Sequence, residues 1–238
     1  MAVELDSEFM TYLTEHASTP GTQLPPMNDL AQRLGISISK LREQLEVARA
    51  LGFVDVRPRI GIQTLHSSIL PGLRASLQYA LAVDPDAFHQ IEDLREHIES
   101  CYWYDAVRRL RPQDIQHLKD LVDRAWEKLR GNPIQIPHNE HRELHLTVFS
   151  RLENPFVQGL LEAYWDAYET VGLAVYTDYR YLEQVWTAHQ AMVEAIAARD
   201  EPGGYQALVD HFGILQTRPQ ALTTGENTDR QQASLEHQ

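Results

Sequence analysis

Apolar residues along this 238-residue chain first settle into a clear rhythm between Leu24 and Leu65. Leu24-Pro25-Pro26 opens a helix carrying Asp29-Leu30-Ala31-Gln32-Arg33-Leu34, Gly35-Ile36-Ser37 makes a tight turn, and a second helix is expected over residues 39–51. Gly35 can take the positive φ that ends the first helix, and Ser37 or Ser39 can cap the open N–H groups of the second. Leu41, Leu45 and Ala48 recur at helical spacing and should pack on Leu30, Ala31 and Leu34, which turns Ser39, Lys40 and Arg42 outward. After Gly52 the period changes. Phe53-Val54-Asp55-Val56 alternates as a strand does, residues 57–61 make a turn, and Ile62-Gln63-Thr64-Leu65 can return as its partner.

Beyond residue 66 the pattern is helical almost without interruption. Helices are expected over residues 69–83, from about 84 to 110, and over 112–129, 139–152, 155–177, 178–199 and 204–216, with no strand pattern among them. Residues from Thr217 onward are rich in Gln, Thr, Asn and charge and read as a disordered tail. The expected fold is mainly α: a winged helix-turn-helix over residues 1–66, an all-α bundle of about seven helices over 67–216, and a tail over 217–238.

Two helices, a tight turn and a hairpin form a DNA-reading unit by pattern. The outward residues Asn28, Ser37, Ser39, Lys40 and Arg42 can reach phosphates and base edges, and Arg57 and Arg59 at the hairpin tip suit a DNA backbone or minor groove. The net charge of −13 runs against DNA binding until it is divided along the chain. Residues 1–66 hold 6 Lys/Arg against 8 Asp/Glu, and the remainder holds 15 against 26. The acidic excess therefore lies in the second region, where it would repel DNA and favour one docking orientation. The single cysteine, Cys101, rules out an internal disulfide and fits a reducing cytoplasm. With neither a signal-peptide pattern nor a membrane-length apolar run, a soluble cytoplasmic protein is expected.

The helical region offers a second chemistry through its histidines. His141 and His145 lie four apart on one helix face, His189 sits midway along a long helix, and His211 lies on the last one. Four imidazoles from three helices can converge on a metal in a bundle interior. Spacing alone leaves the other reading open, since 11 histidines make accidental pairs common.

The residues from Leu24-Pro25 through Asp29-Leu30-Ala31, Leu34-Gly35-Ile36-Ser37, Leu41-Arg42-Glu43, Gly52-Phe53-Val54 and Val56-Arg57-Pro58 to Gly61 resemble the N-terminal domain of GntR-family bacterial transcription regulators. The family usually has an arginine where this chain has Asn28, another at Ile38, and a glycine at Arg59. Further along, Arg95-Glu96-His97-Ile98-Glu99, then Glu143-Leu144-His145 with Asn154-Pro155, and then residues 189–200 with Ala207 and His211 resemble the FCD ligand-binding domain of the FadR subgroup. In many members an aspartate and three histidines bind a divalent metal, and this chain has His141 at the aspartate position. The resemblance thus implies a metal site of His141, His145, His189 and His211. An all-imidazole set loses one negative charge and prefers zinc or nickel over manganese.

The function expected from residues and resemblance together is a transcription regulator, not an enzyme. It binds double-stranded operator DNA as a homodimer, and a small-molecule effector, a carboxylate, acts in the helical domain; repression relieved by effector is the default. Arg95 is a candidate second contact for the effector, and an ion pair with Glu99 four residues on is the equal alternative. Two other readings stand beside it: a metal-free regulator that senses an acyl ligand, and a metal-dependent hydrolase using Glu140, Glu143 or Glu194. Tyr102, Trp103, Trp165 and Trp186 can line a cavity or simply fill core.

Overall fold

The computed structural model describes residues 7–16, 19–84, 86–171 and 178–216. In chain order these form α1 (Glu8–His16), α2 (Met27–Leu34), α3 (Ile38–Ala50), β1 (Val54–Arg57), β2 (Gly61–Thr64), α4 (Leu70–Val83), α5 (Ala87–Arg109), α6 (Pro112–Arg130), α7 (His138–Phe149), α8 (Pro155–Thr170), α9 (Tyr179–Ala198) and α10 (Glu201–Gln216). The expected tail and the last turns of the helix expected over residues 155–177 lie outside the described residues. The fold is mainly helical, with one two-stranded antiparallel sheet among the described residues.

Two differences from the sequence pattern have local causes. The helix α1 was not foreseen; Ser7 accepts from the Met10 N–H at its start, and Phe9 and Leu13, one turn apart, are buried. The helix α10 begins at Glu201 rather than at Gly204, because the Asp200 side chain accepts from the Gly203 N–H and Pro202 sits in the first turn, where its missing donor costs nothing.

The chain divides into two compact units, residues 1–99 with 149–174 and residues 100–148 with 175–238. In the first unit a small apolar cluster joins Phe9 and Leu13 of α1, Leu30 and Ala31 of α2, Leu41, Leu45 and Ala48 of α3, and Val54 and Ile62 of the hairpin. Gly35 closes α2 at φ 65° with its N–H turned back to the Ala31 and Gln32 carbonyls, and Ser37 caps α3 by accepting from the Lys40 N–H. Strand β1 pairs with β2 from Val54↔Thr64 to Arg57↔Gly61. The segment before α2 is stitched to this wing by the Leu24 N–H donating to the Ile62 carbonyl at 2.8 Å and by a bridge between Gln23 and Gln63. Elsewhere in the unit α4 lies against α8, where a side chain at Gly159 would meet Ile69 at 2.8 Å.

In the second unit α6 and α10 pack against α9. Trp103, fully buried, donates its indole N–H to the Glu201 carbonyl at 3.0 Å and lies where a Cβ on Gly204 would stand. Of the aromatics read as cavity lining or core, Trp103, Trp165 and Trp186 are each at most 1% exposed.

Candidate nucleic-acid interface and metal centre

The burial of Leu41, Leu45 and Ala48 fixes which way α3 faces. Ser39, Lys40 and Arg42 consequently stand in solvent, as do Asn28 on α2 and Arg57 and Arg59 on the wing. Ser37 is also exposed, but its hydroxyl is already engaged as the helix cap. The exposed cations are not equivalent. Lys40 Nζ lies 2.5 Å from Glu8 Oε1, and Arg57 Nε lies 2.5 Å from Asp55 Oδ2. The ammonium of Lys40, helped by the Gln44 amide, holds the Glu8 carboxyl down at about 2. Among the described residues, Arg42 and Arg59 have no ion-pair partner. The sequence pattern missed Glu8, since α1 went unread; Ser7 followed by Phe9 and Leu13 was the available signal.

The second unit brings all four predicted histidines together. His141 and His145 project from α7 one turn apart, His189 from the middle of α9, and His211 from α10; each is at most 7% exposed. One ligand nitrogen from each lies within 4.8 Å of the other three. The closest ring centroids, His189 and His211, are 4.3 Å apart, and the widest, His141 and His211, are 5.7 Å apart. His145 Nε2 and His189 Nε2 face each other at 3.1 Å, so one ring donates its N–H to the lone pair of the other. An ion about 2.1 Å from two adjacent imidazole nitrogens holds them roughly 3.0–3.4 Å apart. The donor set therefore fits a divalent metal, which would take the place of the shared proton.

The surroundings narrow the chemistry. Trp186 lies edge-on to His189 at 4.9 Å and to His141 at 6.3 Å, walling one side with an apolar ring. Nearby carboxylates are committed elsewhere: Glu140 pairs with Lys128 at 2.7 Å, Glu143 with His117 at 2.8 Å, and Glu194 accepts from Gln190 at 2.8 Å. As ligands the four imidazoles are neutral, so a bound dication would keep its full charge and attract an anion.

Arg95 belongs to the first unit, where it is buried beside Glu99, with Nε 3.6 Å from Glu99 Oε1. Its guanidinium donates to the Tyr164 hydroxyl at 3.1 Å and lies 4.7 Å from that ring's centroid. Burial works against its charge, yet Glu99, together with Tyr164 and Glu92, more than offsets this and holds its pKa above the ordinary guanidinium value. The ion-pair alternative drawn from the sequence is thus present.

A winged helix-turn-helix followed by helices that gather four buried imidazoles defines the architectural class, a small winged unit with an all-helical companion. The chain belongs to the FCD domain family, whose pattern it matches over residues 90–213, and within it to the GntR-type regulators. It is 24% identical over 209 residues to the "Putative L-lactate dehydrogenase operon regulatory protein" of Escherichia coli (strain K12), covering 83% of this chain and 78% of that protein. It is 26% identical over 201 residues to the "Uncharacterized HTH-type transcriptional regulator YieP" of the same organism, covering 79% and 82%. The solved structure "Streptococcus agalactiae GntR" shares the fold with a TM-score of 0.64 at 18% identity, covering 87% of this chain and 94% of that one. These relatives are transcription regulators, not enzymes. No helix among the described residues is long and apolar enough to cross a membrane.

Proposed function

We propose that this chain is a ligand-responsive transcription regulator that binds a two-fold operator as a homodimer. Residues 1–66 are read as its DNA-binding domain and 67–216 as its effector domain. In this reading Ser39, Lys40 and Arg42 of α3 face the major groove with Asn28 beside them, and the wing lies along the adjacent backbone. His141, His145, His189 and His211 hold a divalent metal, zinc or nickel, which when bound offers an electrophilic position to a small carboxylate. The buried four-imidazole cluster carries this reading, because polar groups gathered in a core at such cost point to a ligand.

Two further observations support it. The E. coli relative named for an L-lactate dehydrogenase operon makes short carboxylates the first effectors to test. A homodimer needs a face, and α4 offers one: none of its residues is buried, and Tyr79 and Val83 are 72% and 62% exposed. Arg95 is kept as a candidate effector contact within its own unit, where Glu99 lies beside it. Effector binding then shifts helix packing and the separation of the two reading heads, which costs operator affinity because half-sites lie at fixed helical phase. Repression relieved by effector is the expected sign.

The test is elemental analysis of purified protein, a melt with and without chelator, and operator titrations in the presence of L-lactate and other short carboxylates. Copurifying zinc or nickel, a chelator-sensitive melt and a carboxylate-dependent loss of DNA affinity are expected. No copurifying metal together with an unchanged melt would remove the metal from the proposal.

A further inference from the structure

The start of α1 is capped by side chains that leave its first carboxylate turned onto α3. The Phe9 N–H donates to Gln44 Oε1 at 3.0 Å and the Met10 N–H to the Ser7 hydroxyl at 3.3 Å, so two donors that a helix start leaves open are met without Glu8. Glu8 stands in the same turn, where an acid also suits the helix dipole. Its two oxygens reach across 32 and 36 positions of chain. Oε1 lies 2.5 Å from Lys40 Nζ, and Oε2 accepts from the Gln44 amide at 2.5 Å. Gln44 is thus held at both ends, by the Phe9 N–H and by the Glu8 carboxylate.

Lys40 and Gln44 lie one turn apart on the flank of α3 that meets α1, and Arg42 lies on the other flank. For the fold the contact is small, because Lys40 and Glu8 are half exposed, at 50% and 43%, and such pairs are screened by water and salt. Its effect on an anion approaching α3 is larger. A lysine strengthens DNA binding by releasing counterions from a phosphate, and an ammonium already paired with a carboxylate does so only once that carboxylate is displaced. The carboxylate here is held in place. Gln44 fixes it from α3, and Phe9, one residue on and fully buried, anchors its turn to the small apolar cluster.

We propose that the first turn of α1 is an autoinhibitory latch on the reading helix, in which the Glu8 carboxylate stands in for a DNA phosphate and holds Lys40 until a duplex displaces it. This rests on the reading of α3 as a DNA contact. A duplex held only loosely, at its phosphates, thus meets a head with one cation fewer.

The experiment uses the full-length chain as wild type, E8Q, K40M and the double variant E8Q/K40M. Binding to a short random-sequence duplex is followed by fluorescence anisotropy across a salt series, at a temperature where thermal melts show all four folded. E8Q should bind a few-fold more tightly than wild type at low salt, and its log–log salt slope should steepen by about 0.9, the counterion share of one added phosphate contact. In the K40M background the same substitution should leave the slope unchanged and lose most of the gain in affinity. A gain of equal size in both backgrounds would assign the effect to the general field of one carboxylate and overturn the latch. Equal affinities of wild type and E8Q would overturn it too, and both results leave the DNA reading intact. If neither wild type nor E8Q binds the duplex even at low ionic strength, the DNA reading falls with the latch.

Discussion

The reading head and the histidine centre use their polar residues in opposite ways. On α3 the cations stand in water, where each is cheap to hold and weakly paired; in the second unit four imidazoles lie buried within 4.8 Å of one another, where polar groups are costly without a partner. A surface face of the first kind costs the fold little and can drift in sequence. A buried cluster of the second kind needs polar partners within the interior, from the other rings or from a bound ion. The departures from the family pattern fit this division: Asn28, Ile38 and Arg59 change the exposed face, whereas His141 changes the donor type while remaining a metal-competent ligand.

The largest expected effect would separate the two regions cleanly. With metal at about a thousandfold over its dissociation constant, binding adds roughly 4 kcal/mol, so chelation should lower the melting temperature of wild type by many degrees. His189→Ala should remove both the bound metal and that chelator response, measured by elemental analysis and differential scanning calorimetry, while leaving DNA binding at low salt in place. A variant that still holds stoichiometric metal would break the assignment.

Next in size is the reciprocal experiment. Leu41→Ala empties the centre of the small cluster under α3 and should cost about 3 kcal/mol, abolishing DNA binding. Metal content should be unchanged. Loss of metal in this variant would show that the two regions do not stand apart.

Smaller effects divide the cations of α3 from each other. Arg42→Ala should weaken operator binding about tenfold and lower the salt slope by about one, with no change in the melt, as read by fluorescence anisotropy across a salt series. Glu8→Gln should act in the opposite direction, freeing Lys40 for phosphate and tightening binding a few-fold at low salt. It should also change the acid limb of stability. The Glu8 carboxyl is depressed to about 2 from 4.5, so its contribution is complete above pH 4.5 and is lost as pH falls from there toward 2. Glu8→Gln should therefore flatten the stability profile within that window, lying slightly below wild type at neutral pH and meeting it as pH falls toward 2. Equal profiles for both proteins would mean that the Lys40 contact is absent in solution.

Most of the reading head was legible because each of its decisions is local. Gly35, the Ser37 cap, the spacing of Leu41, Leu45 and Ala48, and the alternation after Gly52 each act within one or two turns of chain, and the structure follows them. The missed helix α1 had a local signal too, in Ser7, Phe9 and Leu13, but its consequence did not: the contact from Glu8 to Lys40 spans 32 positions. Likewise the helix expected from residue 204 begins at Glu201, where the Asp200 side chain accepts from the Gly203 N–H.

The order and type of elements, the outward face of α3 and the candidacy of the four histidines were written in residue spacing, since hydrophobic period and capping chemistry operate between near neighbours. The convergence of His141, His145, His189 and His211, the tethering of Lys40 by Glu8 and the bond from the Gln23 amide to the Ile60 carbonyl at the wing tip were decided only in three dimensions. Each of these joins residues from separate elements, and no local preference specifies which distant side chain will share a low-dielectric interior or a hydrogen bond.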